Sequence, residues 1–315
     1  MKVIFDTDPG IDDAMALLYL NAIPKIDLLG ITTILGNAST ETCTRNALIL
    51  AEHYGISAPV YRGAERNIEG LVPHEYPDFV HGANGLGGLE LPTPTKTPEN
   101  VPAFEYLVEA VNRSPGEITI LAVGRLTNLA LAIRAQKGFQ DRVKDVVIMG
   151  GSISARGNVT QWAEANIFGD PEAADIVFRS ELQVTLVGLD VTNTTRMSMS
   201  YIDSLVSNLP DLAELIIPMN RYYAEFYKAA EGTDDFPVHD SSAAAFLDDA
   251  SLFKTRVGQI ECIIEGAERG RTVFRPDDSG RHQVCLEVDS NRLLQNYSAR
   301  VRKAYHFGGS ITPRR

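Results

Sequence analysis

At 315 residues, with 44% hydrophobic and 22% charged side chains, the chain has an ordinary globular composition and the length for one large α/β domain or two small ones. Its formal charge of −12 argues against a nucleic-acid backbone or an anionic membrane as a partner, because both require a basic face. No stretch approaches the ~20 uninterrupted apolar residues of a membrane span.

In chain order, Met1-Lys2 leads straight into a short apolar run and then Asp6. There is no signal-peptide h-region, so a cytoplasmic protein is expected. Short runs rich in Val and Ile recur at 3–5, 28–35, 118–123, 146–149 and 184–189, each ending at Gly, Asn or Asp. Near-continuous apolar runs of this length read as strands buried on both faces, as in a parallel sheet. Helical patterns lie between them. One covers 12–20. A second covers 102–112, with Phe104, Leu107, Val108 and Val111 on one stripe and Pro102 at the first turn. In a third, Asp170-Pro171-Glu172 supplies a cap, an N1 proline and an acidic first turn for 173–179. The alternation predicts a doubly wound, mostly parallel α/β sheet flanked by helices, folded as a single domain over 1–315. Cys43, Cys262 and Cys285 are odd in number and widely spaced, which fits buried small hydrophobes in a reducing compartment. The segment 62–101 breaks the rhythm with Gly, Pro and little periodicity; it reads as a lid or pocket wall, or more plainly as a surface excursion.

In open α/β sheets, ligands bind beyond the carboxyl ends of the strands, so the polar residues there are the ones to inspect. After the first strand come Asp6, Asp8, Asp12 and Asp13. Four acids within eight residues repel one another unless a cation or protons compensate, and a hard cation, Ca²⁺ or Mg²⁺, suits their oxygens. Simple capping of the next helix by Asp12 and Asp13 is the plainer alternative. Gly36-Asn37 follows the second strand, Val123 and Gly124 the third, Gly150-Gly151 and then Asn158, Glu164 and Asn166 the fourth, and Asp190 the fifth. Two amides and a carboxylate can hydrogen-bond vicinal hydroxyls, although Asn is also common in turns. His239-Asp240 precedes an Ala-rich helical run at 243–247, with Asp240 a candidate N-cap or a site residue.

Together these blocks resemble the inosine–uridine-preferring nucleoside hydrolase family. Asp6-Thr-Asp-Pro-Gly-Ile-Asp-Asp13 is similar to its DxDPGxDD fingerprint. Gly30-Ile-Thr-Thr with Gly36-Asn37, Gly124-Arg-Leu-Thr-Asn-Leu-Ala, Met149-Gly-Gly, 157–166, Asp170-Pro-Glu-Ala-Ala and His239-Asp240 follow in the family's order, to about residue 250. The resemblance implies calcium-dependent hydrolysis of ribonucleosides (inosine, uridine or related) to ribose and free base, by a metal-bound water. It assigns Ca²⁺ to Asp8, Asp13, the Val123 carbonyl and Asp240, with Asp8 also the general base. Asp12, Asn37, Asn158, Glu164 and Asn166 hold the ribose, and Met149 joins the substrate contacts. His239 acts on the leaving base; His81 and the aromatic pair Tyr223 and Tyr227, on a helix after Pro218, line the base pocket. Asp6 is a support rather than a ligand, and the assembly is a homodimer or homotetramer. Ser241-Ser242 stand where the family usually has Pro-Leu after His-Asp, and this departure, with Ala165 and Phe168, leaves base preference open.

Two rival readings have specific signatures. A haloacid-dehalogenase-like phosphohydrolase also opens with a strand and DxD, but wants Thr or Val where this chain has Gly10. A non-catalytic nucleoside- or ribose-binding protein is expected to have lost Asp8, Asp13, Asp240 or His239, and all four are present.

Overall fold

The computed structural model describes residues 1–306; the last residues of the expected 1–315 domain lie outside the described part. Eleven strands are present among the described residues: β1 (Lys2–Thr7), β2 (Asp27–Thr33), β3 (Val60–Tyr61), β4 (Ile118–Ala122), β5 (Asp145–Met149), β6 (Val184–Val187), β7 (Arg196–Ser198), β8 (Asp235–Pro237), β9 (Phe253–Cys262), β10 (Thr272–Pro276) and β11 (His282–Val288). Nine form one sheet in the order β10-β9-β11-β6-β5-β4-β1-β2-β3. From β11 to β3 every neighbouring pair is parallel; β9 runs antiparallel to both β11 and β10. The expectation of a mostly parallel, doubly wound sheet holds.

The apolar runs are continuous because both faces of the sheet are buried. Val3 and Phe5 enter one core with Leu121, Val147 and Met149, while Ile4 enters the other with Ile120, Val146 and Ile148. The side-chain period of two divides each run between the cores. Helices Ile11–Ala22 and Asp240–Asp248 cover the first face, and helices Ala103–Arg113, Thr127–Ala135 and Pro171–Arg179 the second. The final helix, Ser290–His306, joins the first face through the Tyr297 ring stacked on Tyr19 and its hydroxyl donating to the Met15 carbonyl.

Several boundaries differ from expectation. The second run leaves the sheet at Thr33, and Leu189 begins a short helix, Leu189–Thr192, rather than ending β6. Pro102 and His239 are the N-caps of their helices, so Asp240 is the first helical residue instead of the cap. Helix Pro210–Glu231 starts well before Pro218 and runs through it, so Tyr223 and Tyr227 lie in its second half. Asp170 caps as predicted, accepting from the Ala173 N–H. The three cysteines are free and buried. Among the described residues no helix is long and apolar enough to cross a membrane.

The order β3-β2-β1-β4-β5-β6 reverses between β1 and β4. The connections leave in opposite directions there, and a crevice opens at the carboxyl ends. Asp8 follows β1 at that point, and Val123 follows β4.

Candidate active site

A cavity of about 810 Å³ lies over this switch point, within the range of roughly 300–1,000 Å³ usual for small-molecule sites. All the predicted site residues except Asp8 and Asp13 line it, and those two are buried beneath its floor.

The floor is set by the tight turn after β1. The Gly10 N–H donates to Asp13 Oδ2 at 2.9 Å and the Asp8 N–H to Asp13 Oδ1 at 3.2 Å, so Asp13 closes the start of helix Ile11–Ala22 back on the turn. Thr7 Oγ1 also donates to Asp13. Asp8 Oδ2 accepts from the Asn37 N–H at 2.7 Å, while Oδ1 is buried with no partner. A Cβ at Gly36 would fall 1.9 Å from Asp8 Oδ2, and one at Gly124 2.5 Å from Oδ1. Only glycine at these two strand ends leaves room for the carboxylate. Asp6 stands behind, bonded through Oδ1 to Thr32 and Asn128.

Asp240 arrives from helix Asp240–Asp248, and carboxylate oxygens of Asp12, Asp13 and Asp240 come within 4.8 Å of one another. Burial first, then the Asp13 charge, pushes Asp8 well above the usual carboxylate range and Asp12 up to about 8. Asp240 is likewise raised by burial and then by Asp12, and Asp13 by burial. Buried like charges this close are compensated by protons or by a cation. The unpartnered oxygens Asp8 Oδ1 and Asp12 Oδ1, in an all-oxygen donor set, fit a hard divalent cation. The Val123 carbonyl accepts from Asn166 Nδ2 at 2.7 Å, and the same amide reaches the Met149 carbonyl at 3.2 Å, bridging the ends of β4 and β5.

The residues expected to hold the ribose have structural duties. Glu164 is the N-cap of helix Ala165–Gly169, taking the Asn166 N–H at 2.8 Å and the Ile167 N–H at 3.1 Å, and it also accepts from Gly151 at 2.8 Å. Asn158 Oδ1 accepts from the Ala165 N–H. Asn37 Nδ2 donates to Asp13 Oδ2 at 2.9 Å.

Two histidines also line the cavity. His239 Nδ1 pairs with Thr192 Oγ1 at 2.8 Å and Nε2 with the Tyr227 hydroxyl at 3.3 Å; burial and then Arg196 lower its pKa to about 4. His81, from the short helix Asp78–His81 inside the long loop, accepts the Ile11 N–H on Nδ1 at 3.2 Å and stacks on Tyr223 with centroids 5.6 Å apart. Its proton therefore sits on Nε2. Part of the 62–101 segment is thus a cavity wall: Pro77, Phe79 and Val80 line the cavity beside His81. Sequence reasoning missed Phe79, Phe226, Asn193 and Arg196, which also line the cavity. Phe226 follows Tyr223 and Tyr227 on the helical period and was within reach of pattern; Asn193 and Arg196 carry no local signal.

The profile of the inosine-uridine preferring nucleoside hydrolase family matches residues 3–295. Uridine nucleosidase 1 of Arabidopsis thaliana is 41% identical over 274 residues, 87% of this chain and 81% of its own length. The pyrimidine-specific ribonucleoside hydrolase RihB of Escherichia coli is 34% identical over 273 residues, 86% of each chain. The purine-preferring ribonucleoside hydrolase from Gardnerella vaginalis superposes with a TM-score of 0.93 at 30% identity, covering 98% of this chain and 100% of that one. The chain belongs to the inosine-uridine preferring nucleoside hydrolase family and is a nucleoside N-ribohydrolase.

Proposed function

We propose that this enzyme cleaves the N-glycosidic bond of ribonucleosides with Ca²⁺ as its resident cofactor, and that it prefers pyrimidine ribonucleosides such as uridine. The carrying observation is the approach of carboxylate oxygens of Asp12, Asp13 and Asp240 to within 4.8 Å of one another at one cavity, with the buried Asp8 Oδ1 and Asp12 Oδ1 left unpartnered. The uridine and pyrimidine names belong to relatives at 41% and 34% identity, against 30% for the purine-preferring neighbour, and this ranking supports the pyrimidine preference. A cytoplasmic homodimer or homotetramer belongs to the same reading, and sedimentation velocity reads the assembly directly.

Asp8, Asp13, the Val123 carbonyl and Asp240 would hold the ion, with Asp12 beside Asp13 and Asp240. When bound, Ca²⁺ supplies a Lewis acid that lowers the pKa of water and organises vicinal hydroxyls. Asp8 takes the proton of the attacking water as its hydroxyl adds to C1′, and the bonding pair to nitrogen leaves with the base. The surrounding carboxylates stabilise the oxocarbenium-like charge on the sugar. Asp12, Asn37, Asn158, Glu164 and Asn166 hold the ribose, with Met149 against it, and orientation of this kind removes much of the entropic barrier. His81, Tyr223 and Tyr227 flank the base. His239, kept neutral by burial and Arg196, carries its proton on Nε2 when Nδ1 accepts from Thr192, and stabilises the departing base by hydrogen bonding.

The test is ribose release from uridine, cytidine, inosine and adenosine, before and after chelation. Faster release from the two pyrimidine nucleosides, lost with EDTA and restored by Ca²⁺, is expected. Release from none rejects hydrolysis, equal or faster purine turnover rejects the base preference, and activity untouched by exhaustive chelation removes calcium.

A further inference from the structure

We propose that Asp190 is a positioning residue: it pins the cavity wall formed by residues 156–161 to the sheet and so sets the wall's grip on the ribose. The proposal rests on the reading above that this side of the cavity binds the sugar. Asp190 does not line the cavity. It stands in helix Leu189–Thr192 just beyond β6, and its carboxylate takes three successive backbone N–H groups from the segment after β5. Oδ2 accepts from Ile153 at 2.7 Å, and Oδ1 accepts from Ser154 at 2.7 Å and Ala155 at 3.0 Å. Charge-assisted bonds of this kind are short and about twice as strong as neutral ones. Beside them the Leu189 N–H donates to the Gly151 carbonyl at 2.9 Å, where the two strand ends approach so closely that a Cβ at Gly188 would lie 2.7 Å from that oxygen.

The wall begins immediately after this pin. Six consecutive residues, 156–161, line the cavity. Their own bonds close the loop on itself: the Gly157 N–H donates to the Gln161 carbonyl, and Thr160 Oγ1 accepts from Trp162 and Ala163. At the far end the Arg271 guanidinium lies 4.6 Å over the Trp162 ring, and Glu164 ties the chain back to Gly151. The loop is thus a self-contained plate held at its two ends. Asp190 is the first anchor and Glu164 the second, but only Glu164 faces the ligand. Releasing Asp190 frees the plate without removing a group that touches substrate.

The experiment uses full-length Asp190→Ala and Asp190→Asn. Trp162 is the only tryptophan in the chain, so its emission reports the wall directly. We expect acrylamide quenching of Trp162 to rise at least about twofold in Asp190→Ala under conditions where the variant is folded. KM for uridine should rise on the order of tenfold at nearly constant kcat, the pattern of lost uniform binding. Asp190→Asn keeps the Oδ1 acceptor and loses the bond to Ile153, so both effects should be smaller there. Should the alanine variant fail to fold, the asparagine variant decides by the same two readouts. Unchanged quenching with unchanged KM in a folded variant overturns the proposal, as does a fall in kcat with KM untouched. Because the fluorescence signal needs no turnover, absence of hydrolase activity in the wild type would reject the functional reading while leaving the pin itself open to measurement.

Discussion

The Asn37 N–H donates to Asp8 Oδ2 at 2.7 Å while its side-chain amide donates to Asp13 Oδ2 at 2.9 Å. One residue beyond β2 therefore spaces two carboxylates delivered by β1 and the helix behind it. Asn37→Ala deletes only the second bond, leaving Asp13 held by Thr7, Asp8 and Gly10. Removing such an outer contact typically costs 10–100-fold in metal affinity. The calcium concentration for half-maximal ribose release should rise by about tenfold, measured by titration after chelation.

Asp8→Asn keeps the shape of the side chain and removes the proton acceptor. Turnover should fall by at least about 100-fold with KM little changed. The thermal midpoint without calcium should hold or rise, because burial and then the Asp13 charge already disfavour an ionised Asp8 there and the amide is neutral. Near-normal turnover would show that Asp8 is not the base.

Calcium should raise the thermal midpoint in a concentration-dependent way, by about 2.7 kcal/mol of stability at 100 times Kd. Asp240→Asn or Asp13→Asn should abolish most of that gain. Acidity should act oppositely on the two forms. In the metal-free protein burial, then the Asp13 charge, pushes Asp12 from its ordinary 3.8 up to about 8, so the folded state holds protons that the unfolded state releases. The resulting destabilisation is complete above pH 8 and disappears below about 4. Chelated protein should therefore gain stability between pH 8 and 5, while the increment from calcium shrinks as the ligands protonate. Melting curves with EDTA and with Ca²⁺ at three pH values separate the two.

His239→Ala should be most damaging where the leaving group is poorest. Help of this type is worth roughly 10²–10⁴ in rate. Uridine turnover should drop within that range, while a p-nitrophenyl riboside, whose phenolate departs unaided, should lose less than tenfold. Equal losses on both substrates would assign His239 to pocket structure through its contacts with Thr192 and Tyr227.

The sequence by itself determined the sheet and the polar residues at its edge. Parallel strands buried on both faces must be continuous apolar runs, and whatever follows them stands at the carboxyl ends, as Asp8, Asn37 and Val123 do. Local chemistry also marked the Asp170 cap, whose capping partner, the Ala173 N–H, lies three residues on, although its bonds to Thr127 and the Ile68 N–H were not legible. Asp190 stood out as a strand-end residue, but its three partners lie 35 to 37 residues earlier, so its duty was invisible. Only the closed fold brings Asp240 to Asp12 and Asp13, carries His81 to the N–H of Ile11 across 70 residues, and buries His239 near Arg196, which together lower its pKa, burial most. Hydrophobic periodicity records which face of an element is buried and carries nothing about which distant element buries it. The carboxylate floor of the site was legible because one tight turn supplies most of it. The rest of the cavity wall was not, because it is assembled from the 62–101 loop, helix Pro210–Glu231 and strand β7, which pairs antiparallel with β8, and these meet only when the core closes.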